Sequence, residues 1–181
     1  MVRFTRPTML NKSYQDVLDF WFGPRSSPDY LKEKSFWYGG AADDAYVRAH
    51  LGETYEAAKE GKLDTWIQTG QGEGALALIL LLDQVPRNIF RGTPLAYATD
   101  SKAIAVARQA VESGWDKQMP PIQRRYIYSP FNHSENLEDQ KMSLKLFTEL
   151  GDRYHLHWAQ DFYNQIKRDG RFTHRDHILG R

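Results

Sequence analysis

The chain has 181 residues, with 24 Lys+Arg against 23 Asp+Glu, six His and no Cys. That length holds one domain over residues 1–181, and the balanced charge gives no pull toward nucleic acid or an acidic membrane. Without thiols there is no disulfide framework, zinc ribbon, iron–sulfur cluster or cysteine nucleophile.

Residues 1–13 carry Arg3 and Arg6, faintly like a transit sequence, but no apolar stretch that would make a signal peptide. Tyr14, Val17, Leu18 and Trp21 then fall on one helical stripe, with Ser13 as N-cap and Gly23-Pro24 as stop. The pattern predicts further helices over 30–38 and 43–60, and a short one over 63–67. Gly70 to Gly74 is a turn, because it lacks the preceding strand and following Lys that a phosphate-binding loop needs.

Residues 75–84 are apolar nearly all round and predict a central buried helix that Pro86 disrupts or ends. The apolar run from Ala75 to Leu82 is far shorter than the ~20 residues that span a bilayer. Thr99 or Asp100 caps a helix carrying Ile104, Ala107, Ala110 and Val111. Pro120-Pro121 opens another, and Pro130 is expected beyond its end. Helices over 136–150 and 153–167 follow, and the chain finishes in a short polar segment, 170–181. No segment alternates with the period of a strand. The class is all-α: eight or nine helices joined by short loops, packed as stacked antiparallel hairpins. A soluble, cytoplasmic protein is expected, monomeric or homodimeric.

Three polar stretches stand out from ordinary solvated faces. The first surrounds Asp83, Gln84, Arg87, Asn88 and Arg91. Asp83 and Arg87 lie four residues and about 40° apart on a helix, so they can pair. Pro86 frees a backbone carbonyl that Asn88 or an arginine could satisfy. This reads either as a polar clamp on a kinked helix end or as a guanidinium site for a carboxylate or phosphate.

The second holds His133, Glu135, Asp139 and Gln140, with Asn132 or Ser134 as N-cap. Acids in a first helical turn need no ligand to explain them. His133 beside Glu135 and Asp139 is either a structural pair or an acid/base. The third holds Arg171, His174 and Arg175. It is either a frayed terminus or a segment that folds back and donates these side chains to a cleft.

Metal binding and a serine triad are not expected. His155 and His157 point about 200° apart on a helix, no H-E-x-x-H pattern accompanies His174 and His177, and Ser129 and Ser134 sit in no nucleophile elbow.

The same stretches carry a family likeness. The blocks Phe20 to Gly23, Ala77 to Pro94 with Ala98 to Asp100, Tyr128 to Glu135 with Asp139-Gln140, and Gly170 to Phe172 with His174-Arg175 and Ile178 to Arg181 resemble the DUF924 family, in order and over nearly the whole chain. The run Asp83-Gln84 with Pro86-Arg87-Asn88 and Phe90-Arg91-Gly92-Thr93 is the most specific of them. Val85 departs from a frequent Phe, and Asn132 from a frequent Glu that would have placed another acid beside His133. The resemblance implies a bacterial, right-handed superhelix like that of tetratricopeptide repeats. It implies no established activity, cofactor or partner, and no catalytic residue.

The reading these residues favour is a binding module: an Arg-lined polar groove taking an acidic peptide, a protein or a small anionic ligand. The alternatives are an enzyme using His133 with Glu135 and Asp139 as acid/base and Arg87 and Arg91 as anion clamp, or a polar network that only fixes the fold. No catalytic residue, cofactor, nucleic-acid partner or membrane contact is assigned.

Overall fold

The computed structural model describes residues 12–181, so the reading of Arg3 and Arg6 lies outside the described residues. No strand occurs among them. Helix α1 (Tyr14–Phe22) starts on the expected Ser13, whose hydroxyl accepts from the Asp16 N–H at 3.2 Å while the Asp16 carboxylate accepts from the Ser13 N–H at 2.8 Å. That reciprocal cap satisfies two of the four orphan donors of a helix start.

The helix expected over 30–38 is replaced by a single 3₁₀ turn, Ser35–Trp37. Leu31 has φ +62° and Lys34 is extended, so no helix can run through them. Helix α2 (Ala41–Lys59) follows, and Asp64–Gln68 is a second 3₁₀ turn.

Helix α3 (Glu73–Ile79) is the buried centre, enclosed by α1, by α5 (Asp100–Glu112) and by α6 (Pro121–His133). All of Ala75 to Asp83 is buried. Pro86 does not end this helix. The chain passes through a π-helical turn, Leu80–Gln84, closed by the Val85 N–H on the Leu80 carbonyl, and continues as α4 (Val85–Ile89). A proline ring clashes with the carbonyl four residues back and supplies no N–H. The wider turn relieves that clash, and the Leu82 carbonyl accepts instead from the Thr99 hydroxyl at 2.6 Å. Thr99 therefore stands at the start of α5 without capping it.

Helix α7 (Leu137–Leu150) packs between α6 and α8 (Arg153–Asp169). From α5 to α8 each helix packs on the next, as stacked hairpins require, whereas in the first half α1 packs on α3 and α2 on α4. Pro130 lies inside α6, not beyond it. The cap of α7 is Asn136, accepting from the Glu138 and Asp139 N–H groups, and not Asn132 or Ser134. Asn132 is instead a buried residue of α6 whose carboxamide accepts from the Ser143 hydroxyl.

The last segment is neither frayed nor solvated throughout. It turns back after Gly170, buries Phe172 and Arg175, and ends in a short helix, α9 (Asp176–Leu179).

Candidate functional site

Asp83 is the centre. It has no solvent exposure, and every acceptor face is used. Oδ1 accepts from His133 Nδ1 at 2.8 Å, Oδ2 from Gln84 Nε2 at 2.8 Å, and Arg87 Nη1 lies 3.4 Å from Oδ1. The same Arg87 nitrogen donates to the Asp83 carbonyl at 2.8 Å. Burial alone pushes the Asp83 carboxyl up, but His133 and Arg87 outweigh it and hold it below the ordinary carboxylate range.

Asp83 is therefore an anion, and an anionic carboxylate only accepts. His133 Nδ1 must carry the proton of this bond. Its other nitrogen, Nε2, has no hydrogen-bond partner among the described residues and is not among the buried unpartnered atoms. The His133 side chain keeps 24% of its exposure.

Arg87 is spent on its own acids. It binds Asp100 through two parallel bonds, at 2.7 and 2.9 Å, in addition to Asp83. Arg175 comes next. It is only 5% exposed, and Nη2 donates to the His133 carbonyl at 3.0 Å. Its nearest carboxylate oxygen, on Asp100, is 3.9 Å away, and its Nε is buried with no partner. The guanidinium stacks against Phe172, 4.7 Å from the ring centre, and Tyr97, 4.5 Å away. Burial first and Arg87 second hold its pKa below the ordinary arginine value, against the pull of Asp100 and Glu135.

Two cavities meet at this wall. One, of about 510 Å³, is lined by Asp100, Pro130, Ser134 and Glu135; the other, of about 290 Å³, by Arg87, Arg91, Asn132 and His174. Tyr97, His133 and Arg175 line both.

The sequence-derived candidates therefore divide. Asp83, Gln84, Arg87, His133 and Arg175 converge. Arg91 lines the smaller cavity but is committed to Asp44 by bonds of 2.7 and 3.0 Å, and Asn88 bonds the same Asp44 and the Phe36 carbonyl. Neither Glu135 nor Asp139 is the partner of His133. Asp139 accepts from the Ser134 hydroxyl at 2.6 Å and from Arg108. Glu135 accepts from the Phe172 N–H at 2.7 Å and from Arg181, and so ties the last segment to α6. Burial alone would raise the Glu135 carboxyl, but Arg181 and that N–H hold it below the ordinary range.

Gln140 is a backbone clamp: its amide donates to the carbonyls of Asn132 and Ser134, at 2.9 and 2.7 Å, at the end of α6. Arg171 is exposed and paired with Asp176. His174 lines the smaller cavity, with its pKa lowered by burial and then by Arg175.

The sequence marks Thr99 and Asp100 only as helix-cap candidates and gives Tyr97 no role in the site. Asp100 looks like any acid in a first helical turn, and nothing local shows that it faces Arg87.

Among the described residues no group of three His, Asp or Glu is placed to hold a metal ion, and no helix is long and apolar enough to cross a membrane.

Comparison with known proteins agrees with the architecture. The family model of a bacterial protein of unknown function, DUF924, matches residues 17–181. A solved structure of a protein of unknown function from Agrobacterium tumefaciens is similar at 37% identity, covering 93% of this chain and 90% of that one, with a TM-score of 0.79. No curated protein matches the chain. The chain belongs to the DUF924 family.

Proposed function

We propose that this DUF924 protein is a binding module whose ligand is a small anion, held where the two cavities meet at Arg175, His133 and Tyr97. The observation that supports this is the state of Arg175. A buried cation is costly unless its donors are satisfied. Here one donor has no partner and the closest carboxylate is beyond hydrogen-bond range. A carboxylate or phosphate oxygen would complete it by a charge-assisted bond, and Tyr97 offers a flat wall beside it. The wider Arg-lined groove narrows to this one guanidinium, because Arg87, Arg91 and Arg171 already hold Asp100, Asp44 and Asp176.

The test is thermal melting in low-salt buffer with succinate or inorganic phosphate. A ligand at ten times its Kd stabilises by about 1.4 kcal/mol. For a chain of this size that is about 3–6 °C in Tm. The expected result is such a shift in the wild type and none in Arg175→Gln. Equal shifts in both proteins, or none in either, would refute it.

A second reading rests on a separate observation. The Asp83 carboxylate fixes the Nδ1–H tautomer of His133 and leaves the Nε2 lone pair on the cavity side, which is the geometry of an oriented general base. Ser134 is no nucleophile in this arrangement, since its hydroxyl is held by Asp139. Turnover of a carboxylate-bearing chromogenic ester should then fall by about 10²-fold or more in His133→Asn; unchanged turnover removes this reading.

A further inference from the structure

A third cavity, of about 410 Å³, shares no lining residue with the other two. Its walls include Glu33 from the loop before the first 3₁₀ turn, Arg125 and Tyr126 from α6, and Tyr154 and His155 from α8. Gln84, whose amide holds Asp83, also reaches it. Its volume falls in the range of small-molecule sites.

Two features set it apart from a surface dent. The first is aromatic: Trp37 and Tyr126 form an inner wall, their rings edge to face at 5.6 Å, and Tyr38 and Tyr154 stand at the rim 69% and 66% exposed. Their exposed faces offer flat apolar surface, with a polar hydroxyl at the edge, to a molecule in the cavity.

The second is charge. Among the described residues, Arg125 has no carboxylate within ion-pair range, and its Nε is buried with no hydrogen-bond partner. Its one polar neighbour is His155 Nε2, at 3.5 Å. His155 Nδ1 donates to Asp152 at 2.7 Å, and burial followed by Arg125 lowers the pKa of the ring, so Nε2 presents a lone pair, not a counter-charge. Glu33 likewise has no cation in ion-pair range. A hydrogen bond from Tyr38 to the Glu33 carboxylate raises that phenol, and Glu33, Tyr38 and Arg125 all line the one cavity.

We infer that this cavity is a second ligand site, for a small zwitterion with an apolar or aromatic body, such as a free α-amino acid. Arg125 takes the carboxylate, Glu33 takes the ammonium, and the rings of Trp37, Tyr38 and Tyr154 cover the side chain. A cation alone would be repelled by Arg125, and an anion alone would leave Glu33 unmatched. An ammonium close to tyrosine faces gains a cation–π contact as well.

The experiment is calorimetric titration of the full chain with L-phenylalanine and L-leucine, set beside 3-phenylpropionate, which lacks the amine, and phenethylamine, which lacks the carboxylate. The amino acids should bind and both truncated analogues should bind at least about tenfold more weakly, the loss expected for one charged hydrogen bond. Glu33→Gln, on an exposed side chain, should weaken L-phenylalanine by a similar factor, and so should Arg125→Gln. If Arg125→Gln does not fold, the analogues and Glu33→Gln still decide.

Arg175→Gln should bind L-phenylalanine as the wild type does; loss there would place the probe in the other groove and overturn the assignment. Equal binding of 3-phenylpropionate and L-phenylalanine would reduce the cavity to an anion site and refute the zwitterion. Absence of heat with both amino acids would refute the site.

Discussion

Deleting the Asp83 carboxylate tests the whole polar centre. In Asp83→Ala, His133 and Gln84 lose their acceptor and Arg87 loses one of its two carboxylates. Removing one partner of a buried ion pair costs about 3–5 kcal/mol, chiefly through the charge left behind. Arg87 keeps its two bonds to Asp100, so the remaining charge is not orphaned and the cost lies at the lower end, about 3 kcal/mol. At about 2–4 °C per kcal/mol for a chain of this size, the melting temperature should fall by about 6–12 °C.

The assay is calorimetry with urea denaturation at unchanged m-value. A double-mutant cycle with His133→Ala should return a coupling of about 1–3 kcal/mol. The pH dependence has a definite sign. The folded carboxyl is held below its unfolded value of about 3.9. Its contribution is therefore present above that value and lost as the pH falls through the lower folded one. The gap between wild type and Asp83→Ala should close only below about pH 4. A variant that melts within about 2 °C of the wild type at pH 7, or a coupling of zero, would refute this account, since ~2 °C is under 1 kcal/mol.

Two further outcomes follow from backbone geometry. In Gly74→Ala the new methyl would sit 2.0 Å from the Trp66 carbonyl oxygen, and the backbone must move. The expected loss is about 3 kcal/mol, against about 1 kcal/mol for Gly92→Ala, which meets nothing within 4 Å and suffers only from φ +76°; equal losses in urea titrations would contradict the packing described. Gln140→Met keeps the volume but removes the amide that holds the end of α6. It should cost about 2 kcal/mol and speed amide exchange in the 131–134 stretch, and normal protection there would show the clamp to be idle.

The helices were legible because burial is written in a local period. The stripe of Tyr14, Val17, Leu18 and Trp21 and the all-round apolar 75–82 segment need only neighbours on the same helix to be read. The Asp83–Arg87 pair was legible for the same reason, being four residues apart. What could not be read was contact across the fold. His133 looks toward the nearest acids in sequence, Glu135 and Asp139, yet its carboxylate lies fifty residues earlier. Arg175 looks like one more charge in a polar tail, and only the turn after Gly170 buries it. The two prolines misled in the same direction. Pro86 and Pro130 are strong local stop signals, but the π-turn absorbs one, and α6 runs through the other. Tertiary packing outweighs a local cost of about 3 kcal/mol when the flanking residues are this deeply buried.

A π-helical turn amounts to one residue added to a helix whose two arms stay in phase. Excising a single residue between Leu80 and Gln84, with Pro86→Ala to remove the ring that would otherwise meet the carbonyl four residues back, would restore the ladder and leave α3 and α4 near their present directions. The enclosed apolar stripe would survive such a deletion. What would vanish is the wide turn beside which the Leu82 carbonyl accepts from Thr99 and the Asp83 carbonyl from Arg87. The polar centre is thus separable from the scaffold by an edit of two codons. A deletion variant that still folds yet lacks the centre would be a scaffold-only reference against which any activity of this protein can be measured.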